Sequence, residues 1–431
     1  MARRPSMQAL SGSLAAAARE IAQAVAGRGA RAYLVGGAPR DLALGRAPLE
    51  IDMASTLRPE AIEALFESTV TVGRAFGTVI VRARGVDVQV TTFRSESGYS
   101  DARRPDAVAY GSTVEGDSSR RDFTCNALYL HPQDDEFLDP QGGIQDLEAG
   151  RLRCVGDPEE RFREDGLRLL RLARFAAALD LVPDPRTLEA ARRSGDSMRG
   201  VSRERVREEL RAILEHPGSA RAIALLSDLD LLVRSVPALE ERCRRAGGER
   251  AWWDSRAPLF ALLPDPPGLA LGLAVLLDGA DPQVLRPSRT LVREVESILD
   301  VADAAAAALA GSRSERLRWM RGDSFAAGFA LARARAVVAG EPTSALDAAR
   351  DERERLEEGG LRPPAHVGAE DLVALGLVPG PRFGEILREA ETLQLDGVLP
   401  SREAALAWLA RAAHESRQDG GKTPRRKKET G

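Results

Sequence analysis

The hydrophobic pattern of the chain changes near Gly150, and the change divides the sequence into a mixed part and a helical part. Before it, residues 77–93 (GTVIVRARGVDVQVTTF) alternate with a period of two and break at Gly85, which predicts two antiparallel strands. After it, segments such as 161–179 (RFREDGLRLLRLARFAAAL) and 203–214 (RERVREELRAIL) have helical spacing. We therefore predict an α+β fold class, with a mixed-sheet head domain followed by an all-helical remainder.

The composition excludes several classes of protein and of metal site. The chain has 431 residues with 61 Lys+Arg against 65 Asp+Glu, which excludes nucleic-acid binding by bulk basicity but permits a local arginine surface. Three distant cysteines and four histidines without an HExxH motif exclude a disulfide framework and a common zinc site. No long apolar run or signal peptide is present, so we expect a soluble, cytoplasmic protein that does not contact a membrane.

A glycine turn after the first predicted strand is typical of a phosphate site. Residues 34–45 (LVGGAPRDLALG) predict a buried strand, a turn at Gly36 and Gly37, and the start of a helix that carries Arg40. Backbone N–H groups can hold a phosphate at such a turn because glycine has no side chain to keep the phosphate away. The guanidinium of Arg40 can donate to the same oxygens.

Two carboxylates follow on the next predicted strand, residues 50–54 (EIDMA). Glu50 and Asp52 are two residues apart, so a strand directs both side chains to one face. Two carboxylates on one face can share divalent metal ions in phosphoryl or nucleotidyl transfer. Read alone, the turn and this pair also fit a tight turn beside a surface strand with two acidic residues.

A second motif, RRDFTCNAL (120–128), gives these residues a family context. Together with the first motif it resembles the class II tRNA nucleotidyltransferase (CCA-adding enzyme) and bacterial poly(A) polymerase family, in the polymerase-beta-like nucleotidyltransferase superfamily. The resemblance continues in order through DPQGGIQDLEAGRLR (139–153), EDGLRLLRLARF (164–175) and SRERVREEL (202–210), and resumes at 371–409. It therefore covers residues from about 30 to 215 and a segment near the end.

The resemblance implies an activity, a cofactor, partners and a domain order. The activity is template-independent addition of CMP and AMP to the tRNA 3′ end, with Mg²⁺ as cofactor, tRNA, CTP and ATP as partners, and no obligatory protein partner. With the helix and linker patterns, the predicted segments are an N-terminal helix (1–27), the head (28–150), a neck that selects the nucleotide (151–215), a body (216–360), a tail (361–414) and a disordered basic C-terminus (415–431).

The family's functional positions carry over residue by residue. The implied nucleotide-binding residues are Gly36, Gly37, Arg40 and Arg121 in the head and Asp165, Arg168, Arg171 and Arg174 in the neck, with Glu50 and Asp52 as metal ligands. Residues 94–123, with Tyr99, Arg103 and Arg104, resemble the family's flexible head loop.

The neck positions also suit base recognition on physical grounds. On a helix, residues 165, 168 and 172 lie on one face, with 171 and 174–175 beside it. An Asp can accept a hydrogen bond from the exocyclic amine of C or A, while an Arg donates to the neighbouring ring nitrogen. U and G present the opposite groups and would leave a buried charge unpaired. Read alone, the spacing also fits a solvated helix with ion pairs between successive turns.

The sequence departs from the family pattern at the metal site. Glu50 stands where the family normally has Asp, and Gln89 stands where it usually has a carboxylate. Asp87 lies two residues before Gln89 on the same predicted face, so Glu50, Asp52 and Asp87 are the candidate catalytic residues. Gly166 also replaces the family's usual Pro after the Glu-Asp pair.

These departures leave three functions open. The intact glycine turn, RRDF block and neck favour an active template-independent tRNA nucleotidyltransferase. Glu50 and Gln89 favour a catalytically weak or inactive homologue that binds tRNA or nucleotide. The third function is poly(A) polymerase, which the same family contains.

Overall fold

The computed structural model describes residues 2–71, 77–97, 107–110, 113–356 and 360–420. The chain divides into two compact units: unit 1 contains Met1–Gly272 and Leu276–Ser288, and unit 2 contains Leu273–Val275 and Arg289–Gly431. The predicted body, 216–360, is therefore shared between the two units, because the helices from Arg289 onward pack among themselves. Within the described residues, no helix is long and apolar enough to cross a membrane.

A seven-stranded sheet forms the head of unit 1. The strands of the protein are β1 (Ala32–Val35), β2 (Asp52–Ser55), β3 (Thr69–Thr71), β4 (Thr78–Ala83), β5 (Val86–Thr92), β6 (Arg94–Ser97), β7 (Ala107–Tyr110), β8 (Tyr129–Leu130), β9 (Phe137–Leu138), β10 (Arg151–Leu152) and β11 (Val182–Pro183). The large sheet has the order β3-β4-β5-β2-β1-β8-β9. Only β2 and β5 are parallel neighbours in it, so the predicted mixed sheet is confirmed.

Unit 1 contains the helices predicted from the sequence at 161–179 and 203–214, and the first of these is interrupted. The helices of this unit are α1 (Gly12–Ala26), α2 (Gly37–Ala43), α3 (Pro59–Glu63), α4 (Val114–Ser119), α5 (Gly143–Glu148), α6 (Pro158–Glu164), α7 (Leu167–Leu179), α8 (Pro185–Arg193), α9 (Arg203–Leu214), α10 (Ser219–Asp228), α11 (Leu232–Ser235), α12 (Glu240–Ala246), α13 (Glu249–Phe260) and α14 (Leu269–Leu277). Within α14, Leu273–Val275 are assigned to unit 2. The helix predicted at 203–214 is confirmed as α9. The helical pattern of 161–179 is divided between α6 and α7, which are separated by Asp165 and Gly166.

Two short sheets flank the large one. β6 pairs with β7 in antiparallel fashion, and β10 pairs with β11 in parallel. The β6–β7 pair and α4 lie within 94–123, so parts of that predicted loop are regular structure. Tyr99, Arg103 and Arg104 lie outside the described residues.

The strand β1 is buried on both faces of the sheet. Ala32 and Leu34 belong to a core that includes α1, whereas Tyr33 and Val35 belong to a second cluster with Phe93 and Tyr129 on the other face. Burial on both faces explains why this strand is a continuous apolar run. The alternation of β2 puts Asp52 on the second face, opposite α1, because Ala54 of the same strand lies in the second cluster.

The β4–β5 hairpin turns at the predicted position. Arg84 and Gly85 have φ values of 51° and 77°. A two-residue turn with positive φ at both positions matches the twist of the flanking strands. The predicted break at Gly85 is therefore confirmed, and glycine suits it because it adopts positive φ without steric cost.

Unit 2 is helical. Its helices are α15 (Arg289–Ala310), α16 (Arg313–Met320), α17 (Phe325–Ala339), α18 (Ser344–Leu356), α19 (Ala369–Ala374), α20 (Pro381–Leu395) and α21 (Arg402–Gly420). Leu372, Ile386 and Leu409 join the last three helices in one buried cluster. Because α21 ends at Gly420, the prediction of disorder from residue 415 is wrong for 415–420, and 421–431 lie outside the described residues.

Candidate active site

The turn between β1 and α2 lies beside two arginine side chains. Gly36 precedes α2 and has a φ of 71°, a left-handed conformation that favours glycine. A Cβ atom added at Gly36 would lie 3.8 Å from Nη1 of Arg121, and one added at Gly37 would lie 3.6 Å from Nη2 of Arg40. The structure therefore brings together all four of the head residues predicted to bind the nucleotide.

Arg40 is held by a residue of the RRDFTCNAL block. Its Nε donates to Oδ1 of Asp41 over 2.9 Å, and its Nη1 donates to Oδ1 of Asn126 over 2.8 Å. Arg40 and Asn126 are 86 residues apart in sequence. This contact joins the two motifs into one site and fixes the direction of the guanidinium.

The two predicted metal ligands have different backbone settings. Asp52 is the first residue of β2 and is half-buried, whereas Glu50 is exposed in the bend before the strand. The prediction that both lie on one strand is therefore wrong for Glu50. Burial raises the pKa of Asp52, the negative charge of Glu50 raises it further, and Arg121 opposes both effects. Asp52 pairs with Val35, the last residue of β1 before Gly36, so it lies beside the same turn as Arg121.

The charge of the Glu50–Asp52 pair fits a divalent cation. Ionised Asp52 is disfavoured by burial and by Glu50, and a cation between the two carboxylates would offset both effects. Among the described residues, no group of three or more His, Cys, Asp or Glu side chains could hold a metal ion. Mg²⁺ commonly takes one or two carboxylates and completes its octahedral shell with water and substrate phosphates. The pair beside the turn between β1 and α2 meets that requirement.

The register of β2 and β5 places Gln89, and not Asp87, next to Asp52. Asp87 lies two residues away along β5, where its exposed carboxylate accepts hydrogen bonds from Nε and Nη2 of Arg82 at 2.7 and 3.0 Å. These hydrogen bonds lower the pKa of Asp87. The prediction that Asp87 replaces the missing carboxylate is therefore corrected, because both of its oxygens are engaged by Arg82 one step away from the site.

Arg121 is oriented by a buried carboxylate and a tyrosine. Asp117 on α4 accepts hydrogen bonds from Nη2 and Nε of Arg121 at 2.9 and 3.2 Å, and the hydroxyl of Tyr129 accepts from Nε at 2.9 Å. Burial acts to lower the pKa of Arg121, but Asp117 and Tyr129 outweigh it and raise the pKa. Arg121 therefore presents a permanent positive charge, in a fixed orientation, beside Gly36.

Asp122 joins the RRDF block to the neck helix α7. Its Oδ1 accepts from the backbone N–H of Phe123 at 2.7 Å and from Nδ2 of Asn126 at 3.2 Å. Its Oδ2 accepts from Nε of Arg171 at 2.7 Å and lies 2.6 Å from Nη2. Burial acts to raise the pKa of Asp122, but the charge and hydrogen bonds of Arg171 lower it to about 2.

Replacing Asp122 by Asn is expected to lower the free energy of unfolding by about 2 kcal/mol at pH 7. The pKa of Asp122 in the folded protein, about 2, is below its ordinary value of 3.8, so the ionised carboxylate favours folding at neutral pH. This contribution is lost as the pH falls through the folded pKa, and about half of it remains at pH 3. Urea unfolding of both proteins at pH 7 and pH 3 measures the effect. If the free energies of unfolding of wild type and D122N differ by the same amount at pH 7 and pH 3, the charge of Asp122 does not stabilise the fold.

Asp165 lies between α6 and α7, and not on a helical face as the spacing predicted. Its backbone is extended, and its Oδ1 accepts from the backbone N–H of Leu167 over 3.1 Å. Its two oxygens also accept from the guanidinium of Arg205 on α9 at 3.1 and 2.7 Å. The charge of Asp165 still acts to raise the pKa of Arg168, so the two candidate base-reading side chains are neighbours.

The three predicted neck arginines lie on α7, and each pairs with one carboxylate. The pairs are Arg168–Glu164, Arg171–Asp122 and Arg174–Glu209. Arg168 also donates from Nη2 to the backbone carbonyl oxygen of Arg120 over 3.0 Å. Helix α7 is therefore attached to the RRDF block by hydrogen bonds from Arg168 and Arg171, and the predicted neck arginines lie beside the head.

Gly166 is explained by a close approach of backbone. A Cβ atom at this position would lie 2.4 Å from the carbonyl oxygen of Ser197, in the 3-10 helix Gly195–Gly200. The φ of Gly166 is −59°, so the requirement for glycine here is steric and not conformational. The same contact excludes the Pro that the family usually has, because proline also carries a Cβ atom.

Replacing Gly166 by Ala is expected to destabilise unit 1 by about 1–3 kcal/mol, because the backbone of residues 195–200 must move to admit the methyl group. Urea unfolding measures this loss. Gly384 on α20 is the matched control, since a Cβ atom there would meet only Nη1 of Arg388 at 3.6 Å, and G384A is expected to cost no stability. Equal effects of the two changes would disprove the steric explanation.

Sequence reasoning missed the residues that hold the predicted ones in place. They are Asp117, Asn126, Tyr129, Glu164, Arg205 and Glu209. Asn126 lies inside the RRDFTCNAL block, and Arg205 and Glu209 lie inside SRERVREEL, so their motifs were the available signal. Asp117 and Tyr129 gave none, because both lie outside the RRDFTCNAL block and orient Arg121 by contact; Asp117 also pairs with Arg120.

Two family models match the head and the region after α7, and residues 154–179 lie between the two matches. Residues 32–153 match the poly A polymerase head domain, and residues 180–243 match the probable RNA and SrmB-binding site of polymerase A. The first range contains the glycine turn, the carboxylate pair and the RRDF block. The second contains α9, which supplies Arg205 and Glu209.

Several proteins with similar sequences are CCA-adding enzymes. The enzyme of Levilactobacillus brevis is 31% identical over 399 residues, which cover 90% of this chain and 96% of that protein. The enzyme of Geobacillus stearothermophilus is 37% identical over 249 residues, 56% of this chain and 61% of that protein. The enzyme of Limosilactobacillus reuteri is 42% identical over 197 residues, 46% of this chain and 49% of that protein. The chain thus spans about half to three fifths of the length of the last two relatives.

Two solved structures have folds similar to this one over nearly the whole chain. The crystal structure of the Bacillus stearothermophilus CCA-adding enzyme in complex with CTP matches with a TM-score of 0.75 and 26% identity, and covers 95% of this chain and 100% of that one. The Thermotoga maritima CCA-adding enzyme complexed with tRNA shares the fold, with a TM-score of 0.63 at 20% identity over 92% of this chain and 94% of that one.

Proposed function

This chain belongs to the family of class II CCA-adding enzymes and bacterial poly(A) polymerases, and from that membership we propose that it adds C and A residues from CTP and ATP to the 3′ end of tRNA. The reaction is nucleotidyl transfer without a nucleic-acid template. The observation that carries the proposal is the attachment of the neck helix α7 to the RRDF block beside the glycine turn. We further propose that the protein works in the cytoplasm without an obligatory protein partner.

The triphosphate binds at the turn between β1 and α2. The absence of side chains at Gly36 and Gly37 lets phosphate oxygens approach the backbone N–H groups. Arg40 and Arg121 lie against the same two glycines, and each guanidinium has five N–H donors, more than its protein partners use. Both arginines are already oriented before the nucleotide arrives, so little ordering is needed on binding.

Mg²⁺ is the proposed cofactor, with Glu50 and Asp52 as its protein ligands. When bound there, the ion supplies positive charge to the phosphates during transfer. Because Glu50 lies in the bend before β2, its longer side chain is not held at the position that a strand would impose. The replacement of the family's usual Asp by Glu is therefore compatible with the site.

Transfer joins the tRNA to the α-phosphate of the nucleotide. The 3′-hydroxyl of tRNA gives its proton to water as its oxygen forms a bond to the α-phosphorus. The bond from that phosphorus to the bridging oxygen breaks, and pyrophosphate leaves. Arg40 and Arg121 stabilise the negative charge that grows on the leaving pyrophosphate. Rigid contacts to Asn126 and Asp117 keep their guanidinium groups aligned for that charge.

Asp165 and Arg168 select the base. Within the described residues, Oδ2 of Asp165 accepts only from Arg205, so a lone pair remains for the exocyclic amine of C or A. Arg168 uses its Nη1 for Glu164 and for the carbonyl oxygen of Arg161, which leaves its Nε–H for a ring nitrogen. The protein side chains therefore take the place of a template.

Incorporation of labelled CTP and ATP in Mg²⁺ tests the proposal. Three tRNA substrates are used: one that ends before the CCA sequence, one that ends after the first C, and one that ends after the second C. All three are expected to be extended to a CCA end, and UTP and GTP are expected not to be incorporated. Extension no greater than that of the D52N variant would refute the proposal.

An RNA without tRNA structure separates this activity from poly(A) polymerase. A CCA-adding enzyme is expected to leave such an RNA essentially unextended in ATP alone. Long adenylate tails on it would assign poly(A) synthesis to the protein instead.

A further inference from the structure

One aromatic ring lies beside three of the arginines assigned to the nucleotide. The guanidinium carbons of Arg174, Arg171 and Arg40 lie 4.3, 5.1 and 5.5 Å from the centre of the Phe175 ring. Arg40 comes from α2 in the head, whereas the other two lie on α7 in the neck. Three other aromatic rings in the described part of the chain have an arginine over them, and each of these rings has a single arginine.

The plane of the Phe175 ring is fixed by its own packing. Phe175 is 6% exposed, and its ring meets that of Phe123 edge to face, with centres 5.8 Å apart and planes at 78°. Phe123 belongs to the RRDF block and is fully buried. The ring is therefore a rigid surface and not a mobile side chain.

Ring and carboxylates together fix the three guanidinium groups. Three cations around one ring repel one another, and each has its own carboxylate neighbour: Asp41 for Arg40, Asp122 for Arg171 and Glu209 for Arg174. The negative face of an aromatic ring attracts a guanidinium, most strongly where water is excluded. Each group is therefore held by a carboxylate and by the ring, which restricts both its position and its tilt.

We propose that Phe175 is a positioning residue for nucleotide binding, which holds Arg40 of the head and Arg171 and Arg174 of the neck at fixed separations so that they meet CTP or ATP together. This inference rests on the proposed function, because it takes the three arginines as ligands of the nucleotide. Phe175 acts through the arginines and touches no reacting atom. Its loss leaves all three charges present: Arg40 is still held by Asp41 and Asn126, whereas its separation from the two neck arginines is no longer fixed, so the effect falls on nucleotide affinity more than on the chemical step.

Leucine and tyrosine variants separate the ring's electrostatic role from its volume. F175L keeps an apolar side chain without an aromatic face, and F175Y keeps the face. We expect the Kd and KM for CTP to rise about tenfold in F175L, with kcat changed less than about threefold, and to stay within about twofold of wild type in F175Y. Equilibrium titration of the full-length protein with CTP in Mg²⁺, and steady-state incorporation, give these values. F175M is measured with the same expectation where F175L does not fold.

Phe260 provides a matched control in the same unit. It is also 6% exposed and packs on Trp253 with ring centres 5.2 Å apart, and no arginine lies over its ring among the described residues. F260L is expected to lower Tm as F175L does but to leave the Kd for CTP unchanged. A Kd in F175L within twofold of wild type, or an equal rise in F260L, overturns the inference.

The experiment also distinguishes this inference from the proposed function. Wild-type protein that binds no CTP and incorporates no nucleotide overturns the proposed function, and the inference with it. Wild-type protein that binds CTP and extends tRNA, together with an F175L variant of unchanged affinity, overturns only the role of Phe175.

Discussion

Asp52→Asn is expected to reduce incorporation of CMP and AMP by at least about 10³-fold while the protein stays folded, because a metal ligand supplies several kcal/mol of transition-state stabilisation. The same change is expected to keep or increase the free energy of unfolding without Mg²⁺. Burial and Glu50 raise the pKa of Asp52 in the folded protein, so its favourable contribution to stability is present at low pH and is lost as the pH rises through that pKa. At neutral pH the ionised carboxylate opposes folding, and a neutral amide does not.

Two measurements separate ligand loss from misfolding. kcat/KM for the three tRNA substrates gives the effect on activity. Thermal unfolding at increasing Mg²⁺ concentration gives the effect on metal binding, since an ion that binds only the folded state raises Tm by mass action. The wild type is expected to show this rise and D52N to lack it. A D52N protein as active as wild type would show that Asp52 is not a catalytic metal ligand.

Asp87→Asn is the control for charge. The change removes one carboxylate from the sheet face that also carries Asp52. The carboxylate of Asp87 is exposed and accepts hydrogen bonds from Arg82. Activity is expected to stay within about twofold of wild type, because an exposed ion pair contributes little. A loss as large as that of D52N would restore Asp87 as a catalytic residue.

Asp165→Asn is expected to shift the ratio of UTP to CTP incorporation about 10²-fold in favour of UTP. The amide Nδ2 can donate to the carbonyl oxygen of U, where the carboxylate of Asp165 can only repel it. CTP loses one contact and UTP gains one, and each such contact is worth about 1–3 kcal/mol. The Oδ1 of the new amide can still accept from Arg205, so the neck keeps its structure.

Competition between labelled CTP and UTP on a tRNA that ends before CCA measures this ratio directly. Glu208→Gln is the matched control, because Glu208 is a more exposed carboxylate of α9, paired with Arg207 and Arg211. E208Q is expected to leave the ratio unchanged. An unchanged ratio in D165N would show that Asp165 does not read the base.

The parts of the fold that depend on local pattern could be predicted from the sequence. The alternation of 77–93 and its break at Gly85 correspond to β4, β5 and their turn, and the helix at 203–214 is α9. The interruption of 161–179 could not be predicted from its own residues. It occurs at Gly166, where the backbone of residues 195–200 approaches so closely that no Cβ atom fits.

The candidate site likewise contains residues that could be predicted from the sequence and residues that could not. The motifs identified the residues proposed to bind a nucleotide, and the structure brings Gly36, Arg40 and Arg121 together as predicted. Strand register decided the position of Asp87, because alternation fixes only the face of a side chain and not its neighbour on the next strand. The residues that orient the arginines could not be predicted either. A buried partner such as Asp117 is recognised only from its contact with Arg121 in the folded protein, because no spacing in the sequence indicates that contact.

The attachment of α7 to the RRDF block has a consequence for accuracy. Arg171 of α7 contacts Asp122, Asp122 contacts Asn126, and Asn126 contacts Arg40 at the phosphate turn. If Asp165 and Arg168 read the base as proposed, a mismatched base that shifts α7 is expected to disturb the alignment of Arg40 through this series of contacts. An incorrect nucleotide would then be slow to react as well as weakly bound, so the same site would disfavour it both in binding and in the reaction.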